Sequence, residues 1–276
     1  MRKKLGLFGA LLFVVVGCQT GEDSSARNYG AVISNQMVET VPSDVDMVNL
    51  IPGPFVWGEI VPQPNLPESD WNWAQTDALI AQAQTNNVTV MATLWPYALW
   101  DQASCHGDWS TIYSLYGTEF TAPYVPCDMV AYSTWVAAVV KRYGSSVNIW
   151  QIMRYPEQQT APVACFKGVE QNYYEIVLTS AKAIRENQPT ATIVSATIGR
   201  PTSDTITFWG PLFETDINNS LTVLAVTAET PYELASTVTW LDRYNLIIPQ
   251  WVMTTTTDQA AAFGDSAKVF YTVSHD

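Results

Sequence analysis

Short apolar, β-branched runs alternate with longer helical patterns along nearly the whole chain, and this order confines it to a parallel α/β fold. Strand patterns fall at residues 31–34, 46–51, 88–94, 147–153, 192–197, 221–227, 247–253 and 268–273. The run at 88–94 is almost continuously apolar, as a strand covered on both faces must be. Helical patterns fall at 70–86, 128–143, 170–187, 232–244 and 258–263. The segment 170–187 is the most periodic, with Tyr173, Ile176, Val177 and Ile184 on one stripe and Pro189 as its stop. Asp128 is placed to cap the helix that follows it, and Gly144 to end that helix. Eight strands is the number that closes a (β/α)8, or TIM, barrel. The pattern predicts a single-domain barrel over residues 30–276 with shortened first and seventh helices, since little chain separates Ser34 from Asp46. Residues 96–126 read as a loop without regular structure, and loops of that length usually carry function or a staple.

The beginning of the chain has the layout of an export signal. Arg2, Lys3 and Lys4 precede an apolar run at residues 5–16. That run is shorter than the about 20 apolar residues a spanning helix needs. It ends in Val15-Val16-Gly17-Cys18, which resembles a bacterial lipobox. The resemblance implies a lipoprotein signal peptide at residues 1–17, a lipid on Cys18, and a polar tether at residues 18–29. It also implies a place in the cell envelope, at the outer membrane or cell surface. Without the signal, the chain has the size of one barrel, for which about 250 residues is typical.

Charge narrows the partners. The chain carries 13 basic against 26 acidic residues, a formal net charge of −13. Nucleic acids and anionic lipid surfaces bind basic patches, so both are argued against. Neutral ligands are compatible with this balance. The membrane enters as a partner only through the N-terminal lipid, and a monomer is expected.

With Cys18 lipidated, Cys105, Cys127 and Cys165 remain for an oxidising compartment. Cys105–Cys127 is the expected disulfide because it closes the long loop. Cys165, in the next loop, is the rival partner. Two His and no Cys-x-x-Cys spacing argue against a metal centre, and no cofactor is expected. Asp101 and His106 flank Cys105, but no Gly-x-Ser-x-Gly elbow supplies a nucleophile for such a pair.

Five segments carry a family resemblance. They are Phe55-Val56-Trp57-Gly58-Glu59-Ile60-Val61-Pro62; Asp70-Trp71 with Asp77 and Ala83; Lys141-Arg142-Tyr143-Gly144; Trp150-Gln151-Ile152-Met153-Arg154-Tyr155-Pro156-Glu157; and Pro249-Gln250-Trp251-Val252-Met253-Thr254. Spread over most of the chain, these resemble the clan A glycoside hydrolases, which are (β/α)8 barrels. The resemblance implies two catalytic carboxylates, an acid/base after the fourth strand and a nucleophile after the seventh. Retaining glycosidases hold such a pair about 5 Å apart.

The departures fall at those two positions. Tyr155 stands in the acid/base slot, and Thr254 stands in the nucleophile slot, followed by Thr255, Thr256 and Thr257. Val61 replaces the Glu usual before Pro62, and the sixth strand, Leu224-Ala225-Val226-Thr227, lacks the family's His. A Thr hydroxyl cannot stand in for a carboxylate at an oxocarbenium-like centre. A Tyr nucleophile, known in sialidases, needs a basic cluster, and this chain offers mainly Arg154. Glu157 lies two residues beyond Tyr155, on the same side of an extended segment, and is the candidate relocated acid. Glu59, Asp101, Glu229, Glu233 and Asp258 are other acids near strand ends. Trp57, Trp95, Tyr97, Trp100 and Trp109 follow the second and third strands, on the side where barrels bind ligands. Flat aromatic faces suit sugar rings, so Trp57, Glu59, Trp95, Tyr97, Trp100 and Arg154 form the expected substrate-binding set, with packing as the competing role. Trp150 and Trp251 lie inside strands and read as barrel-wall residues.

The leading expectation is therefore a glycoside hydrolase-like, catalytically impaired barrel whose partner is carbohydrate. One alternative is an active glycosidase using Glu157 and an acid from another strand. Another is a structural surface lipoprotein without a ligand cleft.

Overall fold

Eight parallel strands, β1 (Tyr29–Ser34), β2 (Met47–Ile51), β3 (Thr89–Leu94), β4 (Ile149–Ile152), β5 (Thr192–Val194), β6 (Leu224–Thr227), β7 (Gln250–Thr254) and β8 (Lys268–Thr272), form one sheet in the computed structural model. The model describes residues 29–34, 45–51, 53–107, 124–158, 166–263 and 268–272. The expected signal peptide, Cys18, the expected tether up to residue 28, the expected first helix, Trp109 and Cys165 lie outside the described residues.

The strand order is β5-β4-β3-β2-β1-β8-β7-β6. The two ends of this order meet through the bridges Val194–Val223 and Ile198–Val226. Ser195 N donates to Val223 O at 3.0 Å and Ile198 N to Ala225 O at 2.8 Å. The sheet thus curls into a nearly closed barrel, as the strand count predicts.

The helices are α1 (Trp57–Ile60), α2 (Ala74–Thr85), α3 (Leu99–Cys105), α4 (Met129–Tyr143), α5 (Glu170–Asn187), α6 (Ser203–Phe213), α7 (Pro231–Leu241) and α8 (Thr257–Ala262). The Asp128 side chain caps α4 by accepting from Val130 N and Ala131 N. The helix α5 has the bounds that its periodicity gives. Three helices go beyond the sequence reading, the single turn α1 after β2 being the first. The helix α3 occupies part of the stretch read as loop, and α6 falls between the fifth and sixth strands, where no helix was expected. Short α8 matches the shortened seventh helix.

Strand alternation builds the interior in layers. Val32, Met47, Met91, Ile149, Val194, Val223, Ala225, Met253 and Phe270 fill one apolar layer. Two residues further along three of these strands lie Asn49, Thr93 and Gln151, all fully buried. Asn49 Nδ2 donates to Thr93 Oγ1 at 3.0 Å, and Thr93 Oγ1 donates to Gln151 Oε1 at 3.0 Å. Gln151 Nε2 continues the chain to Thr197 Oγ1 at 3.2 Å. Each buried polar group pays its desolvation penalty unless partnered, so this network fixes the strands' mutual register beneath the barrel mouth.

The outer faces pack under the helices. Trp150 is fully buried on the outer side, where its Nε1 donates to Gln188 Oε1 at 2.7 Å, so it is a wall residue. Trp251 is partly buried against the inner cluster, 5.6 Å from the Phe270 ring. The helices α2 and α4 are joined by Asp77. Its carboxylate takes Arg142 Nε at 3.0 Å, Arg142 Nη2 at 2.6 Å and the Tyr143 hydroxyl at 2.7 Å. The hydrogen bond from Arg142 holds the Asp77 carboxyl below its usual value. Asp77 and the Lys141-Arg142-Tyr143-Gly144 segment, separate landmarks in the sequence, are therefore the two halves of one clamp.

Candidate functional site

The chain leaves β4 through a strained turn. Met153 has φ of 63° and Tyr155 has φ of 46°, both in the left-handed region. Bulky residues adopt that region at a cost, and it persists only where the surroundings enforce it. Here Met153 N donates to Leu94 O at 3.1 Å and Tyr155 N to Thr197 O at 3.2 Å, tying the turn to β3 and to the segment after β5. Tyr173, fully buried on α5, reinforces the same junction. Its hydroxyl donates to Ile152 O at 3.3 Å and accepts from Ala196 N at 2.8 Å.

This turn delivers three side chains. Tyr155 lines a cavity of about 740 Å³, a size usual for small-molecule sites. Thr227 Oγ1, at the end of β6, donates a long 3.4 Å hydrogen bond to the Tyr155 hydroxyl. Arg154 is 8% exposed, and its guanidinium lies 5.3 Å from the Tyr155 ring centre. Glu157 also lines the cavity and is 7% exposed. Its Oε1 accepts from Gly199 N at 2.7 Å and its Oε2 from Trp209 Nε1 at 3.2 Å. Burial pushes the Glu157 carboxyl up to about 7, with those two hydrogen bonds pulling the other way.

Most of the rest of the cavity comes from the segment after β5 and from α6, through Gly199, Arg200, Thr202, Asp204, Thr205 and Phe208, with Val169 and Glu170 at the start of α5. Arg200 pairs with Glu229, and with Glu233 at 3.4 Å, so these acids hold the outer wall rather than face Glu157 alone. Sequence reasoning missed this wall because it missed α6. The signal was present. Thr202-Ser203-Asp204 is a cap followed by an acidic first turn, and Thr205, Phe208, Trp209 and Leu212 recur at helical spacing. Gly210-Pro211 near the end obscures the pattern.

Thr254 sits at the end of β7, 4% exposed. Its hydroxyl donates to Gln259 Oε1 at 2.7 Å, and Thr255 donates to the same oxygen through Oγ1 at 2.7 Å and N at 3.1 Å. The slot is therefore filled by a hydroxyl bound to an amide of α8. Asp258, the nearest acid in sequence, is exposed.

The expected aromatic binding set is placed differently. Trp57 is 1% exposed, Trp95 2% and Tyr97 8%. The Trp57 ring meets Trp100 at 5.0 Å and Tyr132 at 5.7 Å, both edge-on. Trp100 Nε1 donates to Val61 O at 2.8 Å, and Trp95 lies 5.7 Å from Tyr97. Their faces are used in packing α1, α3 and α4 over the end of β3, and none of the four lines the described cavity. Glu59 is exposed on α1. Of the sequence-derived binding set, only Arg154 lies in the turn beside that cavity.

Asp101 and His106 do not form a pair. Asp101 is 1% exposed and accepts from Cys127 N and Asp128 N, each at 2.8 Å. His106 Nε2 lies 2.9 Å from Val125 O, and the ring stacks on Tyr124. Cys105 and Cys127 form the expected disulfide. With His106, their donor atoms lie within 4.8 Å of one another. Both sulfurs are consumed in the S–S bond, so they offer no thiolate to a metal.

No family model and no curated protein sequence matches the chain. Solved structures do match it. A glucosidase from Croceicoccus marinus is similar over 84% of this chain and 54% of its own, with a TM-score of 0.60 and 14% identity. The catalytic domain of the GH30 xylanase C from Talaromyces cellulolyticus is similar over 89% of this chain and 67% of its own, at 0.59 and 12%. A family 39 glycoside hydrolase from Bacteroides cellulosilyticus is similar over 89% and 56%, at 0.54 and 12%. The chain spans little more than half the length of two of these proteins. Its structural neighbours are clan A glycoside hydrolases, and at such low identity the likeness establishes the shared (β/α)8 barrel fold.

Proposed function

We propose that this chain is a glycoside hydrolase-like barrel that binds carbohydrate at the C-terminal end of its strands and does not hydrolyse it. One observation carries the reading. The two positions where the resemblance places carboxylates hold a tyrosine lining a cavity and a threonine hydrogen-bonded to Gln259. Hydrolysis needs a proton donor and a second carboxylate in step, and neither slot supplies one. The cavity itself persists, walled by Tyr155, Thr202, Thr205, Phe208 and Thr227, a mixture of hydroxyls and ring that suits sugar hydroxyls and sugar faces. A glycan array probed with the purified chain tests binding, and a panel of aryl glycosides and polysaccharides tests turnover. Binding without turnover is expected. Absence of any glycan signal contradicts the reading.

A second reading rests on Glu157. A carboxyl raised to about 7 beside a cavity has the protonation a general acid needs near neutrality. Both of its oxygens, however, already accept hydrogen bonds from the wall behind it. Turnover abolished by Glu157→Gln would establish this second reading and end the first.

The lipobox resemblance supports a lipid on Cys18, which would hold the barrel at the cell envelope as a monomer on residues 18–29. Cys18→Ser should release the protein from the membrane fraction, and membrane retention of that variant would contradict the anchor.

A further inference from the structure

We propose that the saccharide bound at this site carries a carboxylate, a single uronic acid in an otherwise neutral glycan, and that Arg154 recognises it. The proposal rests on the carbohydrate-binding reading above and specifies its ligand. Arginine is almost never buried without a partner, because desolvating the guanidinium costs several kcal/mol unless an anion or acceptors replace the water. The chain obeys this rule at other arginines. Exposed Arg142 grips Asp77, exposed Arg200 grips Glu229 and Glu233, and half-buried Arg185 donates to Pro189 O, Ala191 O and Thr222 Oγ1. Arg154 is more buried than any of these, at 8% exposed. Among the described residues it has neither a hydrogen bond nor a carboxylate, and its Nε is a buried donor without a partner. Among those residues its guanidinium meets the Tyr155 ring, 5.3 Å from the ring centre.

The position suits a ligand. Arg154 lies between the two left-handed residues Met153 and Tyr155 at the end of β4, and Tyr155 lines the cavity. Arg154 does not itself line that cavity, but its guanidinium lies 5.3 Å from the ring centre of Tyr155, which does, so a carboxylate reaching past that ring meets it. A planar carboxylate matches the fork of that group through two parallel hydrogen bonds. The surrounding charge limits the ligand to one such group. Glu157, Glu170 and Asp204 line the same cavity, and its one lining cation among the described residues, Arg200, is already paired with Glu229 and Glu233, so a second anion is repelled there.

The test uses the full chain and an array of gluco-, galacto-, manno- and xylo-oligosaccharides. Each is presented in matched neutral, single-terminal-uronate and single-terminal-sulfate forms. Expected is a preference of about tenfold or more for a uronate form over its neutral twin, the usual size of a hydrogen-bonded charge contact. Arg154→Gln should erase that preference, and Arg154→Lys should reduce it, since an ammonium cannot make the two-pronged contact. Should Arg154→Gln not fold, as judged by its melting transition, Arg154→Lys alone carries the comparison. Equal binding of neutral and uronate forms overturns the inference and leaves the carbohydrate reading standing. A sulfate form bound better than the uronate, or a uronate preference unchanged by substitution at Arg154, also overturns it. No binding to any form overturns the carbohydrate reading itself.

Discussion

Gly199 and Glu157 are fitted to each other: the Gly199 N–H donates to Glu157 Oε1 at 2.7 Å, and a Cβ on residue 199 would lie 2.8 Å from that same oxygen. The buried carboxylate can reach the backbone only because residue 199 has no side chain. Gly199→Ala should therefore push Glu157 off its donor and cost about 1–3 kcal/mol, the range for overpacking a tight site. Chemical denaturation read by Trp fluorescence measures this. An unchanged midpoint would show that the wall gives way freely.

The burial of Glu157 makes stability depend on pH in a defined direction. Its carboxyl titrates near 7 in the folded chain and near 4.5 when unfolded. Below pH 4.5 both states carry the proton, and the group's contribution is fully present. Between 4.5 and 7 the unfolded chain loses the proton while the folded chain keeps it, so stability falls as pH rises, by about 3 kcal/mol at most. Above about 7 that contribution is gone. Urea unfolding across this window should show the decline, and Glu157→Gln should flatten it. A slope that Glu157→Gln leaves unchanged would assign it to other groups.

Asp101 and the Cys105–Cys127 disulfide close the same segment, whose ends are 22 residues apart in sequence. Reducing the disulfide should cost about 3 kcal/mol in the chain-entropy account. Asp101→Ala should cost a similar amount, about 3 kcal/mol, by leaving the Cys127 and Asp128 amides without their acceptor. Because both act on one loop, the combined loss should be smaller than the sum of the separate losses. Thermal melts of the four states decide this, and strict additivity would contradict a shared role.

Much of the barrel was legible in the sequence, and the reason is periodicity. The continuous apolar run at 88–94 and the stripe of Tyr173, Ile176, Val177 and Ile184 reflect burial on two faces and on one face, so they specify β3 and α5. Gln151, to which the sequence reading gave no role, is the hub of the inner polar layer. The positions of Tyr155 and Thr254 at the ends of the fourth and seventh strands were also legible, because both lie inside recognisable strand-end segments. The aromatic cleft was not. Trp57 and Trp95 follow strand ends whether they face a ligand or a neighbouring Trp, and only the tertiary packing of α1, α3 and α4 separates the two. That Arg154 has no carboxylate partner among the described residues depends on which acids approach it in space, which sequence order does not encode.

That packing yields a contrast between residues. Trp57→Ala should cost about 3–5 kcal/mol of stability, as expected for emptying a fully buried aromatic site. Glycan affinity, measured on the fraction that remains folded, should change little. Tyr155→Ala should weaken glycan binding while its melting point moves less than that of Trp57→Ala. Calorimetric titration beside a melt of each variant checks both, and a folded Trp57 variant that has lost binding would place the ligand over α1 instead.

Native mass spectrometry of the chain incubated with the oligosaccharide it binds best tests the central claim most directly. The account predicts a complex whose ligand keeps its mass over hours, with no shorter saccharides and no covalent glycosyl adduct. Cleavage products that vanish in Glu157→Gln would contradict it.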